Sequence, residues 1–136
     1  MADLPIRVLP ALTPENEHFW TGGAQGALRF LRCIACRQLI HPPAPICPEC
    51  LSRKLEIATV SGRGIVHTYT INHQTWFPGM ITPFVIAIVE LAEQPGLRLT
   101  TNLVNCPIDR VKIGMPVQVV FENRDPIWIP LFEPVP

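Results

Sequence analysis

The stretches Cys33-Ile-Ala-Cys36 and Cys47-Pro-Glu-Cys50 decide how this sequence folds, because they contain four of its five cysteines. Two residues separate the cysteines of each pair, so one tight turn can aim both sulfurs at a common point. Ten residues separate the two pairs. This spacing is typical of a zinc ribbon, and we expect the four sulfurs to form one tetrahedral metal site.

The two cysteine pairs have two other interpretations, a pair of disulfides or two redox motifs. We expect no secretory signal, and disulfides are uncommon in reducing compartments. A redox C-x-x-C normally opens a helix, but Pro48 and the His-Pro-Pro-Ala-Pro run at residues 41–45 favour a turn at the second pair. A metal site is therefore the favoured interpretation.

The metal is predicted to be structural. Four thiolates leave no open position for water or substrate, so the metal should hold the fold rather than carry out chemistry. Zinc is favoured because nothing indicates a redox role, and a rubredoxin-like iron site is the alternative. Arg32 and Arg37 stand beside ligands and either screen their charge or face solvent. His41 lies between the pairs, but four cysteines already fill the site.

The composition combines a high apolar fraction with little charge. Hydrophobic residues make up 48% of the 136 residues and charged residues 16%. This is more apolar surface than a chain of this size easily buries, so we expect a partner. No apolar run reaches the roughly 20 residues of a membrane helix, and we expect a cytoplasmic protein without membrane contact. A formal net charge of zero disfavours nucleic acid, which usually requires a basic face.

The chain divides into three predicted segments: an N-terminal arm and helix (residues 1–26), a rubredoxin-like zinc ribbon (27–54) and a barrel with a C-terminal docking tail (55–136). Thr13-Pro-Glu15 predicts a helix start with Thr13 as N-cap, and the helix is expected to stop at Gly22-Gly23. Its Phe19 and Trp20 could anchor the helix to its own domain or to another chain.

From residue 55 the apolar period changes to two, which indicates β-strands. Five strands with one short helical connection, between the third and the fourth, match a partly open Greek-key barrel, the OB-fold. The expected class is therefore mainly β, with a ribbon hairpin before the barrel. The expected barrel strands are residues 57–71 (broken near 61–64), 84–91, 97–104, 117–122 and 127–132.

The sequence resembles a bacterial and archaeal family of paired zinc-ribbon and OB-fold proteins, once listed as a domain of unknown function. Its members accompany thiolase-like enzymes and MaoC-type enoyl-CoA hydratases. The resemblance covers about residues 15–132. It is carried by Glu17-His-Phe-Trp20 and by residues 32–36, 42–50, 60–66, 89–91, 101–104 and 112–117.

The resemblance implies a non-catalytic partner subunit in acyl-CoA metabolism, forming a hetero-oligomer with its enzyme. Some members pair with thiolase-like aldolases that cleave steroid side chains held as CoA thioesters, and others are fused or bound to hydratase subunits. Many members carry glycine shortly after a ligand cysteine, where this chain has Arg37 and Leu51. That departure bears on the backbone geometry of the two turns that carry the ligand cysteines, here called the knuckles.

A search for catalytic residues finds little. His67 and Tyr69 are expected on one strand face and could act as acid and base, although a half-buried structural pair is the more frequent case. Cys106 could be a nucleophile, but a proline follows it and no base is near, so a buried thiol is favoured. We expect no catalytic residue.

The loop between the first two barrel strands is the most informative non-metal feature. It places four apolar side chains together, which is costly in water, so we expect it to meet a partner or an acyl chain. The C-terminal segment is similarly apolar and is expected to form an edge strand and docking tail. The candidate contact residues are Phe19, Trp20, His73, Trp76, Phe77, Met80, Ile81, Trp128 and Phe132.

Two function classes remain open. The first is an accessory subunit that stabilises a thiolase-like enzyme and shapes its CoA-thioester channel. The second is an OB-fold that binds single-stranded nucleic acid, with Tyr69, Trp76 and Phe77 as stacking platforms, which the neutral charge disfavours. A weaker idea is direct binding of CoA phosphates by Arg29, Arg32 or Arg53.

Overall fold

The computed structural model describes residues 5–136, which form eight β-strands, one α-helix and two 3-10 turns. The first four residues of the predicted arm lie outside the described residues. The elements are α1 (Glu17–Thr21), a first 3-10 turn (Gly22–Gln25), β1 (Leu28–Cys33), β2 (Leu39–Ile40), β3 (Leu55–Val60), β4 (Arg63–Asn72), β5 (Phe84–Leu91), β6 (Arg98–Leu103), a second 3-10 turn (Ile108–Arg110), β7 (Pro116–Arg124) and β8 (Ile127–Pro134).

Helix α1 begins at Glu17, four residues later than the expected cap at Thr13. The Thr13 carbonyl accepts hydrogen bonds from the N–H groups of Asn16 and Glu17, at 3.2 and 2.9 Å, and Asn16 Oδ1 accepts one from the Thr13 N–H at 2.8 Å. Thr13 therefore closes a turn before the helix, and Asn16 is the N-cap. With five residues α1 is far too short to cross a bilayer, and no other helix of residues 5–136 could cross one.

Helix α1 ends at Thr21 with Gly22 as its C-cap, as predicted, and a 3-10 turn then continues from Gly22 to Gln25. Gly26 then ends the turn with a φ of 68°, a left-handed conformation that favours glycine. A Cβ on Gly23 would lie 2.6 Å from side-chain atoms of Phe121 and of Trp128. Glycine thus allows the turn to pack directly on the barrel.

The ribbon sheet has the order β2-β1-β3, with both pairings antiparallel. Strand β3 pairs with β1 along its whole length, from Cys33 opposite Leu55 to Leu28 opposite Val60. The sequence assigned residues 55–60 to the barrel, so the structure corrects this boundary. The periodicity of a strand predicts its buried face but does not predict which sheet the strand will join.

The remaining five strands form a closed barrel of order β4-β5-β6-β8-β7, and the predicted OB-fold is confirmed. All neighbours pair antiparallel except β6 and β8, which meet in parallel at one pair, Leu103 and Phe132. Strand β8 therefore has neighbours on both sides and is not the edge strand expected from the sequence. Phe132 is fully buried in the core, so it is not available as a docking residue.

One hydrophobic core joins the helix, the ribbon and the barrel. Phe19, Leu28 and Phe30 pack in the same buried cluster as the barrel residues Val66 and Phe132. A side chain of the barrel also extends the ribbon: Gln94 Oε1 accepts from the Leu39 N–H at 2.9 Å, and Gln94 Nε2 donates to the Leu39 carbonyl at 3.0 Å. The ribbon and the barrel are thus packed as one body.

Candidate metal centre and docking surface

The four cysteines of the two pairs converge on one point. Their sulfur atoms all lie within 4.8 Å of one another, with 3.5 Å between Cys33 Sγ and Cys50 Sγ and 3.6 Å between Cys36 Sγ and Cys47 Sγ. Four sulfurs around a zinc ion at about 2.3 Å would be about 3.8 Å apart. The spacing therefore fits a tetrahedral metal ion.

The protonation chemistry of the cluster also fits a cation. The backbone N–H of Cys36 donates to Cys33 Sγ at 3.5 Å and contributes most to lowering the pKa of Cys33, to about 6. At Cys36 the backbone N–H of Gln38 favours the thiolate, but desolvation and the neighbouring sulfurs raise the pKa to about 12. Thiols this close cannot all ionise alone, so a cation between them is required to hold four thiolates.

The two knuckles repeat the same backbone turn. Arg37 N–H donates to the Cys33 carbonyl and Leu51 N–H to the Cys47 carbonyl, both at 2.9 Å. Arg37 and Leu51 have φ values of 69° and 63°, so they adopt the left-handed conformation that glycine would reach without strain. The departure from glycine at these positions does not alter the knuckle.

The arginines beside the ligands are paired with a carboxylate. Arg32 Nε lies 2.8 Å from Glu56 Oε1, and an Arg37 terminal nitrogen lies 3.4 Å from the same oxygen. Glu56 belongs to β3, so this contact also ties the third ribbon strand to the first knuckle. Both arginines are therefore ion-paired with Glu56, and the alternative that they only face solvent does not hold.

His41 packs in an aromatic stack. Its ring lies 4.7 Å from the ring centroids of both Phe19 and Phe30, nearly parallel to each. Phe19 is 4% exposed, so the structure corrects its assignment as a contact residue and makes it part of the core. Among residues 5–136, His41 Nδ1 and His18 Nε2 have no hydrogen-bond partner although both are buried. Burial, and secondarily His18, lower the pKa of His41 to about 4.

Replacing His41 with phenylalanine is expected to make the protein less sensitive to acid. Because the folded-state pKa of His41 is below the unfolded value of 6.5, its contribution to stability is present above pH 6.5 and is lost as pH falls towards 4. Between pH 6.5 and pH 5 the contribution of His41 falls by about 1.6 kcal/mol. Urea unfolding at both pH values should show a loss of stability that is larger by this amount in the wild type than in His41→Phe, and equal losses would contradict it.

The loop of residues 73–83, here called the 73–83 loop, presents much of the apolar surface of the barrel. Trp76 is 71% exposed and Ile81 60% exposed, while Phe77 and Met80 are half-buried. The N-terminal arm lies beside the loop, and a Cβ on Gly79 would collide with the Ile6 side chain. Loop and arm together border an apolar groove of about 410 Å³, here called the arm groove.

A buried ion cluster fixes the arm to β7. Glu122 Oε2 accepts from Arg7 Nε at 2.6 Å and from Arg124 Nε at 3.0 Å, and these side chains are only 12–20% exposed. Arg7 also donates to Asn102 Oδ1 at 2.9 Å, and Arg124 donates to the Pro5 carbonyl. This cluster is not predictable from the sequence, because nothing local links Arg7 of the arm to Glu122, 115 positions later.

The other candidate residues are scattered. His73 is exposed at the start of the 73–83 loop, Trp20 borders the arm groove, and Trp128 is half-buried against Gly23. His67 and Tyr69 do not share an environment, because a β-bulge between Val66 and Thr68 leaves His67 exposed and packs Tyr69 against the core. Cys106 is half-buried beside the core. Of the three proposed base-stacking rings, only Trp76 is exposed.

Comparison with known proteins assigns the chain to a family. Residues 20–56 match the family model described as the ChsH2 rubredoxin-like zinc ribbon domain, and residues 58–122 match the ChsH2 C-terminal OB-fold domain. A DUF35 domain-containing scaffold protein of Methanothermobacter thermautotrophicus is 42% identical over 94 residues, covering 68% of this chain and 69% of that protein. The chain belongs to the DUF35 family.

Two further matches extend over nearly the whole chain. A solved structure described as an Ltp2-ChsH2(DUF35) aldolase is 38% identical with a TM-score of 0.82, covering 93% of this chain and 98% of that one. A probable enoyl-CoA hydratase alpha subunit of Thermomonospora curvata is 38% identical over 130 residues, or 95% of this chain. The chain spans only 40% of that hydratase subunit's length.

Proposed function

We propose that this DUF35 protein is a non-catalytic accessory subunit of a thiolase-like enzyme that acts on acyl-CoA thioesters. The partner class with most support is a steroid side-chain-cleaving aldolase, whose fold the subunit stabilises and whose substrate channel it shapes. The observation that carries the proposal is the exposed apolar surface at the 73–83 loop, where Trp76 and Ile81 are exposed and Ile81 lines the arm groove together with Val8, which is 84% exposed. Such a patch on a folded domain marks a protein contact.

The match to the aldolase structure supports a separate subunit. It covers 98% of a chain whose name pairs it with Ltp2 and an aldolase. The dispersed positions of His67, Tyr69 and Cys106 support a non-catalytic role, since acid-base or nucleophilic catalysis needs groups within hydrogen-bond reach.

Zinc is the metal that we infer for the four-cysteine cluster. Cys33, Cys36, Cys47 and Cys50 would be its ligands, and four thiolates fill a tetrahedral coordination sphere. The ion would then link the two knuckles and leave no position for a substrate. The match to the family model of a rubredoxin-like zinc ribbon supports zinc. Iron is the alternative, and metal analysis of the purified protein would distinguish the two.

The second candidate function is partnership with a MaoC-type enoyl-CoA hydratase. The observation that favours it is the match to a hydratase alpha subunit, whose sequence continues well beyond the matched region. Both candidates place the same surface against an acyl-CoA enzyme. They differ in which enzyme forms a complex.

Co-expression with the thiolase-like and the MaoC-like proteins of the same organism tests the proposal. Trp76→Ala combined with Ile81→Ser should weaken the complex at least tenfold, because exposed tryptophans at interfaces are frequent binding hot spots. The matched control is Ile113→Ser, which removes another exposed apolar side chain at a different turn. Dissociation constants would be measured by light scattering and calorimetry.

The outcomes of this test are distinct. A complex with a thiolase-like protein that depends on Trp76 and Ile81 supports the proposal, and a complex with the hydratase alone supports the second candidate. Absence of any complex would contradict the docking role, and full activity of the thiolase-like enzyme without this subunit would contradict the accessory role.

A further inference from the structure

The barrel wall is nearly open between β6 and β8. Among residues 5–136, the only ladder pair that joins these strands is Leu103 with Phe132, supported by the Val104 N–H bond to the Phe132 carbonyl at 2.8 Å. The Thr101 hydroxyl also donates to the Pro130 carbonyl at 2.9 Å. Towards Arg98 the two strands have no further ladder contact.

The free edge of β6 exposes backbone hydrogen-bonding groups. Leu91 N–H donates to the Leu97 carbonyl at 2.8 Å. Because hydrogen-bonded and non-hydrogen-bonded pairs alternate along an antiparallel ladder, this bond identifies which residues of β6 bond to β5. Leu99 and Thr101 therefore bond to β5, while Arg98 and Thr100 direct their N–H and C=O groups away from it. Within the described part of the chain no strand pairs with Arg98 or Thr100 from that side.

A groove of about 610 Å³, here called the edge groove, lies over this free edge. Trp20, Pro43 and Ile129 are among its lining residues, and Arg98 is the only charged residue that the described part of the chain contributes to the lining. Trp20, Asn102 and Ile129 also line the arm groove. The edge groove is thus continuous with the surface proposed to meet the enzyme.

We propose that the edge groove binds an extended polypeptide segment of the enzyme partner, which adds to β6 as a strand. This inference rests on the proposed function for the identity of the partner. The segment pairs its backbone with Arg98 and Thr100, in the manner of strand addition at a free sheet edge. At about 3.3 Å per residue, Arg98 to Asn102 provides room for about five residues.

The chemistry of the groove defines the segment further. Its walls are largely apolar, so alternate side chains of the segment should be apolar. The Arg98 side chain is 48% exposed, and its Nε donates to Glu90 Oε1 at 3.3 Å. Its terminal N–H groups can therefore donate to a carboxylate of the bound segment. Among residues 5–136, the lining contains no carboxylate that would repel one. The fitting segment is apolar with one acidic residue or a C-terminal carboxylate.

Thr100→Pro tests the strand pairing. Proline removes only the N–H that faces the groove and leaves the β5–β6 ladder intact, since Thr100 does not bond to β5. In the complex with the thiolase-like partner, Thr100→Pro should weaken binding at least tenfold, whereas Thr100→Ala, which keeps the N–H, should bind within twofold of the wild type. Equal affinity of both variants would overturn the inference.

Amide hydrogen exchange on the wild-type chain gives a second readout that needs no variant. We expect the peptide containing Thr100 to be protected more than tenfold by the partner. No added protection, or protection in the isolated chain that rises with its own concentration, would overturn the inference, the latter in favour of a second copy at this edge. A complex that depends on Trp76 but not on Thr100 would leave the proposed function standing and remove only the strand addition.

Discussion

Replacing Cys47 with serine is expected to remove the metal and to destabilise the whole protein by at least about 4 kcal/mol. The core under the knuckles is too small to fold alone, because its buried residues are only Cys33, Ile40 and Cys47. Structural zinc sites contribute folding energy directly, and the lost ligand would leave that small core without its main support. Acid should act in the same direction, since protons compete with the metal for the thiolates.

The destabilisation should extend beyond the ribbon. Strand β1 contributes Leu28 and Phe30 to the main core, so loosening the ribbon uncovers part of the barrel. Metal content by mass spectrometry and urea unfolding would measure both effects. Cys106→Ser is the matched control, because Cys106 lies outside the cluster and should keep the metal. Normal metal content and stability in Cys47→Ser would show that the four sulfurs do not form the site.

The second large effect is expected from Glu122→Ala, at about 3 kcal/mol. The substitution leaves the cations of Arg7 and Arg124 without their carboxylate in a mostly buried position, and removing one member of a buried pair is strongly destabilising. The chain can relieve that penalty only by releasing the arm into water. We therefore expect rapid proteolysis after Arg7 as well as a lower urea midpoint.

The matched control for this prediction is Glu90→Ala. Glu90 pairs with Arg98, whose side chain is 48% exposed, and exposed ion pairs contribute about 0–1 kcal/mol. The difference between the two variants measures the contribution of burial. If Glu122→Ala were no more destabilising than Glu90→Ala, the arm would not be held by its ion cluster.

The sequence was sufficient to predict features that depend on short spacing. The two C-x-x-C pairs predicted the convergence of four sulfurs, and the period of two predicted five barrel strands. Each of these signals is local: a two-residue spacer allows one turn to bring two sulfurs together, and alternation in one strand reports one buried face.

Features that depend on long-range pairing were not predictable. Residues 55–60 have the alternation of any strand, and only pairing with β1 assigns them to the ribbon. Phe132 looked like an exposed tail residue because its sequence neighbours are apolar, yet it closes the barrel against β6. The bulge after Val66 also gives His67 and Tyr69 different environments, which simple alternation cannot show.

The two hydrogen bonds between Gln94 and Leu39 have a geometric consequence. They join ribbon strand β2 to the turn between β5 and β6, so we expect the knuckles and the 73–83 loop to keep a constant separation. An enzyme that touches both ends must present two complementary patches at that same spacing. The protein would then select its enzyme by the distance between two contact patches as well as by the chemistry of each patch.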